Sequence, residues 1–436
     1  MKNTEKLKTR NNWKSASVIL FWILVIGMPL HTMLVDKIIG STVFSLGGLV
    51  NLWRDLIILF FFFCAVCMRF RQTLLTKTGI WMLCILAVMG VFWLCSGAPF
   101  MLKTNILRIC VIPMLMVFIM QSFPMDEAMY DKLIWVLFLE GVGIALFGIF
   151  QVFILGEEFL TAIGYGVDKA LHHSFYIGGW RGSQRLVGTF ASPNNCGLYL
   201  TQMVVICWVN KDRLLRRWKL AYIGILLIVI GIVATFSRSA WVSLFVVLVL
   251  HFIMHEPNKK RLLNWRTAVV AVGGLVCLWL LDLVLLKSRM TNMIISSIRG
   301  VVTQSDASFM KHLEDLILPI GTILRNPLGF GFGTSGPVAL NALGEGTRLV
   351  ESSVWLVGYD MGIPGMLLYF SAYVLAIFGI FSKKDGYKRT AGFVALAALI
   401  IFFILPLHQN VESTFLIFTF MGLSRNPGLK SEGDKI

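Results

Sequence analysis

The sequence predicts an all-α polytopic membrane protein, and three observations carry that prediction. Hydrophobic residues make up 57% of the 436 and charged residues only 14%, with a mean hydropathy of +0.78, far from the soluble average. Apolar runs follow one another with short polar breaks, each near the ~20 residues a helix needs to cross ~30 Å of hydrocarbon. Lysine and arginine, in excess by a net +16, gather in alternate short loops, which is how cytoplasmic loops are marked. Because hydrocarbon cannot hydrogen-bond to a bare backbone, the apolar runs must be helices.

Taken in order, spans are expected near 16–35, 41–68, 79–96, 100–121, 132–154, 190–209, 220–236, 239–254, 267–286, 352–381, 391–407 and 411–424. That is about twelve transmembrane helices in one membrane domain, 1–436, with both termini cytoplasmic. The basic N-terminus has no small-residue cleavage pattern after its apolar run, so the first span is expected to be retained. The second run is too long for one crossing and carries Arg54 and Asp55, so a break is expected near Gly47 and Gly48. The basic clusters are Arg69, Arg71 and Lys77; Lys211, Arg213, Arg216, Arg217 and Lys219; Lys259, Lys260, Arg261 and Arg266; and Lys383, Lys384, Lys388 and Arg389. Their alternation places two long loops, 155–189 and 287–350, on the outer face. The charge is a topology signal and not a nucleic-acid footprint, so no nucleic-acid partner is expected. The eight cysteines lie mostly within apolar runs and read as small buried hydrophobes. There is no internal repeat and no low-complexity segment.

Charge inside a membrane costs on the order of 3 kcal/mol per residue, so it marks candidates for function. Arg108, Glu140, Arg238 and Asp360 qualify, with Arg54 and Asp55 near a boundary; structural ion pairs, Arg54 with Asp55 or Arg108 with Glu140, are the competing reading. Arg185 and Arg238 reach the same outer level from different hairpins. Two planar guanidinium forks there suit phosphate oxygens. Tyr176, Trp180 and Arg181 in the first loop are candidate glycan contacts, with interfacial anchoring the competing reading for the two aromatics. His312 flanks the apolar stripe of an amphipathic helix in the second loop. The glycines at 329, 331, 333 and 336 follow no strand and form no dinucleotide fingerprint; an anion-binding turn and a plain loop both remain as readings. No Asp-x-Asp and no ligand cluster with metal spacing occurs, so neither metal nor cofactor is expected.

Three motifs, R-L-x-G-T-F-x-S-P-N-N at 185–195, T-F-S-R-S-A-W at 235–241 and N-P-L-G-F-G-F-G at 326–333, resemble in order and spacing the core of the O-antigen ligase and polymerase family. The resemblance covers roughly residues 185–381. It implies a GT-C-like membrane enzyme of the bacterial cytoplasmic membrane that transfers glycans from undecaprenyl diphosphate on the outer face. In the family's ligases a histidine followed by Asn, Ser or Gln precedes Gly-x-x-Gly by nine residues, and the histidine is the proposed base. Here the same frame reads Glu351-Ser352, nine residues, then Gly362-Ile363-Pro364-Gly365. Glutamate for histidine points to repeat-unit polymerisation over ligation to a lipid A core. By analogy Arg185 and Arg238, helped by Arg108, bind the diphosphate and Glu351 takes the acceptor proton, with His312 in reserve. A chain-length regulator is a possible partner. A lipid-linked glycan flippase or secondary transporter is the reading from another class, but such proteins carry their polar groups at the bilayer midplane.

Overall fold

In the computed structural model, residues 17–39, 50–166, 171–177, 184–255, 307–344 and 347–429 are described, with positions 283, 291, 292 and 295. They form helices α1 (Ser17–Leu30, then Thr32–Ile39), α2 (Trp53–Thr73), α3 (Lys77–Cys95), α4 (Phe100–Ser122) and α5 (Glu127–Phe150). After α5 come π-helical Gln151–Leu155 and the short helix Gly156–Ala162, then α6 (Pro193–Val209), α7 (Lys211–Arg217), α8 (Ala221–Ala234) and α9 (Arg238–His255). The remainder is α10 (Ala307–Arg325), α11 (Gly336–Leu343), α12 (Ser353–Ile377), α13 (Gly386–Ile404) and α14 (Val411–Leu423). Among the described residues seven helices are long and apolar enough to cross a membrane, or eight with the two halves of α1 taken as one. The expected count of twelve is therefore met only in part, since α6 has only 17 residues, α8 and α14 are apolar but shorter still, and the span expected near 267–286 lies outside the described residues.

Boundaries move where capping decides them. Asp126 accepts from Met129 N–H and starts α5 five residues before the expected 132, and Asp385 accepts from Tyr387 and Lys388 N–H and starts α13 at Gly386 instead of 391. Helix α2 begins at Trp53, so the expected span from 41 is too long. The expected break near Gly47 and Gly48 lies outside the described residues. Ser192 and Ser352 cap α6 and α12.

Helices α4, α6, α13 and α14 form the centre. Every residue of α14 is buried, as are Ile112–Ser122 of α4, and a helix apolar on all sides belongs inside a bundle. Helices α2, α3, α8 and α9 surround them with Phe63, Leu94, Leu226 and Phe245 turned outward, as a lipid-facing wall requires. Arg108 of α4 meets Asp55 of α2, and Arg69 of α2 meets the Ser122 carbonyl of α4; the two run parallel, so the ends of the bundle can be assigned. One end gathers the α2, α4, α6, α9, α12 and α14 N-termini. The other holds Lys77, Arg213 and Lys388.

Two helices are broken, and both breaks are filled by motif residues. Helix α1 bends by 64° after Leu30. There Thr189 inserts: its Oγ1 donates to the Pro29 carbonyl at 2.5 Å, and Met33 N–H donates to the Thr189 carbonyl at 3.2 Å. An i to i+4 bond is thus replaced by two bonds to one side chain and its backbone. Helix α12 turns at Gly362, whose φ is +64°. Pro364 has no N–H for the Asp360 carbonyl, and Gly331 N–H takes that carbonyl at 3.1 Å. Ile363 N–H goes to Pro327, which frees the Tyr359 carbonyl for Phe330 N–H at 2.6 Å. The glycine-rich loop is thus more than a plain loop, because its Phe330 and Gly331 amides repair a broken helix.

A Cβ on Gly362 would lie 2.2 Å from the Pro327 oxygen, whereas one on Gly90, within α3, would meet nothing within 4 Å. Gly362→Ala is expected to lower stability by about 1–2 kcal/mol from the left-handed backbone alone and further from the clash. Gly90→Ala should stabilise by up to ~1 kcal/mol. Thermal unfolding in detergent checks both; equal melting points for the two variants would contradict the kink as described.

Candidate functional site

Arg185 is the centre of the end that carries the helix N-termini. Its Nε donates to the Thr235 carbonyl at 2.7 Å, Nη1 to Ser174 at 2.8 Å, and Nη2 to Asn194 Oδ1 at 2.9 Å and the Phe236 carbonyl at 3.2 Å. The first loop, the start of α6 and the α8–α9 turn are thereby tied to one guanidinium. The turn is shaped for it. Phe236 has φ +49°, a conformation that costs a non-glycine residue on the order of 1 kcal/mol or more, and it turns two successive carbonyls toward Arg185. Leu186 N–H adds a bond to the Ala234 carbonyl at 2.9 Å. Gly188, at φ +61°, passes between Ile144 and Cys196, and Gln151 Oε1 accepts its N–H at 3.0 Å.

All four partners of Arg185 are neutral oxygens, and among the described residues no carboxylate touches it. Partial burial and the neighbouring charge of Arg238 push its pKa down to about 10, so it stays a cation at neutral pH while gaining from any anion that approaches. Arg238 opens α9 directly after the strained turn. The two arginines expected at one level are therefore neighbours, and both stand at the N-terminal ends of helices, where backbone dipoles also favour negative charge.

Arg108 is placed differently. It pairs with Asp55 and Asn105, and Arg54 reaches Glu412 at 3.3 Å and Asp55 at 3.7 Å. Thr32 donates to the same Glu412 oxygen at 3.1 Å. The expected alternative pair of Arg108 with Glu140 does not form; Glu140 instead accepts from the Tyr199 hydroxyl at 3.3 Å. Glu412, buried at the first turn of α14, was not singled out in the sequence because it opens an apolar run like an ordinary capping acid. The group joins α1, α2, α4 and α14 as a network of both signs, buried except at Arg108.

Glu351 immediately precedes Ser352, the N-cap of α12. Its height is fixed by neighbours: Ser352 Oγ donates to the Phe402 carbonyl at 3.3 Å, Ser353 Oγ to Leu405 at 2.7 Å, and His408 N–H to Ser353 Oγ at 3.0 Å. Ser243, five residues into α9 from Arg238, donates to Ala397 of α13 at 2.8 Å. Since α9 and α13 run in opposite directions, Arg238 and Glu351 flank the same end of α13. A further cation, Arg348, stacks over the Tyr359 ring at 5.6 Å three residues before Glu351; it was not distinguished in the sequence from other loop arginines. Burial drives the His408 pKa down to about 3, which keeps its ring neutral. Tyr176 is 6% exposed, in a small core with Leu160, Tyr165 and Phe175, and its hydroxyl donates to Glu157. The ring therefore packs the loop and presents no open face. Trp180 and Arg181 lie outside the described residues, as does the side chain of His312.

Residues 223–370 match the family model described as O-antigen ligase. The match covers about a third of the chain and takes in the 235–241 turn, the 326–333 loop and the whole frame from Glu351 to Gly365, so this stretch is similar to the O-antigen ligase family. No curated protein matches the chain.

Two outcomes are expected. Hydrogen bonds from a charged group contribute roughly 1.5–3 kcal/mol each, so Arg185→Ala should lower the melting point in detergent by many degrees and Arg185→Lys should recover only part; an unchanged melting point for Arg185→Ala would show that the guanidinium ties nothing. For His408, the folded pKa lies below its ordinary 6.5. The unfolded chain then binds the proton first, and stability is lost as pH falls from 6.5 toward 3. At pH 5 the loss is on the order of 2 kcal/mol. Melting points at pH 7 and pH 5 should separate less for His408→Asn than for the wild type.

Proposed function

We propose that this protein acts as a member of the O-antigen ligase/polymerase family and joins glycan repeat units, taking the donor glycan from undecaprenyl diphosphate on the outer face of a bacterial cytoplasmic membrane. The observation that carries the reading is the cationic end of the bundle: Arg185 held by four neutral oxygens, with Arg238 beside it. Such a preorganised pair is suited to a leaving group whose negative charge grows during the reaction. The acceptor hydroxyl oxygen attacks the anomeric carbon, the bond from that carbon to the diphosphate oxygen breaks, and its electron pair leaves with the diphosphate. Glu351 takes the hydroxyl proton. Arg238 makes the direct contact and Arg185, most of whose donors are already occupied, contributes charge and holds the turn. Arg108 acts at a distance, since Asp55 has claimed its fork. His312 remains the reserve base.

Ligation to a lipid A core is the second reading, favoured by the description of the matching family. Glutamate in place of the ligase histidine supports polymerisation instead. A chain-length regulator would then act as partner.

Purified protein incubated with a defined undecaprenyl-diphosphate glycan should give a ladder on a gel. Glu351→Gln should slow its growth by ~10² to 10⁴, the usual contribution of a general base, without changing expression or donor binding. A single adduct formed only with lipid A core would establish the ligase reading. Normal ladder growth by Glu351→Gln, with His312→Ala inactive, would move the base to His312.

A further inference from the structure

At the end of the bundle away from Arg185, a cleft of about 490 Å³ opens between α3, α4, α12 and α14. That volume lies within the usual range for small-molecule sites. Its walls are Trp81, Met82, Val117, Leu375 and Met421, and its mouth holds Lys77 and Arg425. No aspartate or glutamate lines it. Among the described residues neither the Lys77 ammonium nor the Arg425 guanidinium has a hydrogen-bond or ion-pair partner. Trp81 spans the cleft, its Nε1 donating to Ser371 Oγ at 2.9 Å, which holds the indole as one wall. An apolar slot ending in two unpaired cations, at a membrane boundary, has the charge and polarity profile of an amphiphile with an anionic head.

We propose that this cleft binds one anionic phospholipid of the surrounding bilayer, an acyl chain lying against Trp81 and Met421 and the phosphate held between Lys77 and Arg425. The first turn of α3 adds its positive dipole end at the same mouth. Water alone would solvate both cations but leave the apolar walls wet. A zwitterionic lipid would fill the walls and answer the cations less well. The site is independent of the glycan-transfer reading, because none of its residues belongs to the cationic end around Arg185.

Each surface cation contributes about fivefold to the binding of an anionic lipid, so the pair should give roughly a twentyfold preference. Native mass spectrometry of the full chain in mild detergent, titrated with phosphatidylglycerol and with phosphatidylcholine of the same chains, measures it. Wild type should retain phosphatidylglycerol about twentyfold more tightly. Lys77→Gln/Arg425→Gln should lose that preference while keeping the wild-type melting point, and the single variants should lie between. Phosphatidylglycerol brominated on its chains should quench a fluorescence component that is missing from Trp81→Phe. Equal retention of the two lipids by wild type would overturn the proposal, as would unchanged preference in the double variant or equal quenching of wild type and Trp81→Phe.

Discussion

A single guanidinium joins three segments that are distant in sequence. Arg185 binds the carbonyl of Ser174 in the first loop, Asn194 at the head of α6, and the two carbonyls of the α8–α9 turn. The strained φ of Phe236, the left-handed Gly188 and the insertion of Thr189 into the bend of α1 all stand within reach of that clamp. Its physical effect is twofold. It fixes the turn that leads into Arg238, and among the described residues it leaves a positive charge with no carboxylate against it. Neutral oxygens can satisfy the geometry of a guanidinium without cancelling its charge, and the remaining field favours an approaching anion.

The second constraint is the kink of α12. Proline at 364 and left-handed Gly362 free backbone groups that must be paired inside a membrane protein, and the loop from Pro327 to Gly331 supplies the partners. Gly329 and Gly362 approach so closely that a Cβ on either would overlap the other's backbone or that of its neighbours. The same kink sets the direction in which the first turn of α12 carries Ser352 and Glu351 to the end of α13. Two motifs that look separate in sequence, the glycine-rich loop and the Gly-x-x-Gly frame, are one packing unit.

Hydropathy and loop charge made the helical class and most span positions legible, because lipid leaves the backbone only one solution at that length. The pairing of Arg185 with Arg238 was legible too, from the depth at which each hairpin turns. What could not be read was the use of the motif residues. Thr189 and Gly331 act through main-chain bonds to helices more than a hundred residues away or across a kink that only coordinates reveal. Arg108 was read as a ligand for diphosphate, and its pairing with Asp55, one turn from the end of a parallel helix, could not be read from the sequence. Glu412 escaped notice because its partners, Thr32 and Arg54, come from the opposite end of the chain.

The central claim is that the end of the bundle built on Arg185 and Arg238 holds the diphosphate. A structure of the protein bound to an undecaprenyl-diphosphate-linked glycan tests it most directly. The account predicts phosphate oxygens within hydrogen-bond distance of the Arg238 guanidinium, beside the 235–238 turn, with the Arg185 contacts to Ser174, Asn194, Thr235 and Phe236 intact. A diphosphate seated on the opposite end of the bundle, or one held by Arg54 and Arg108 after displacing Asp55 and Glu412, would contradict it.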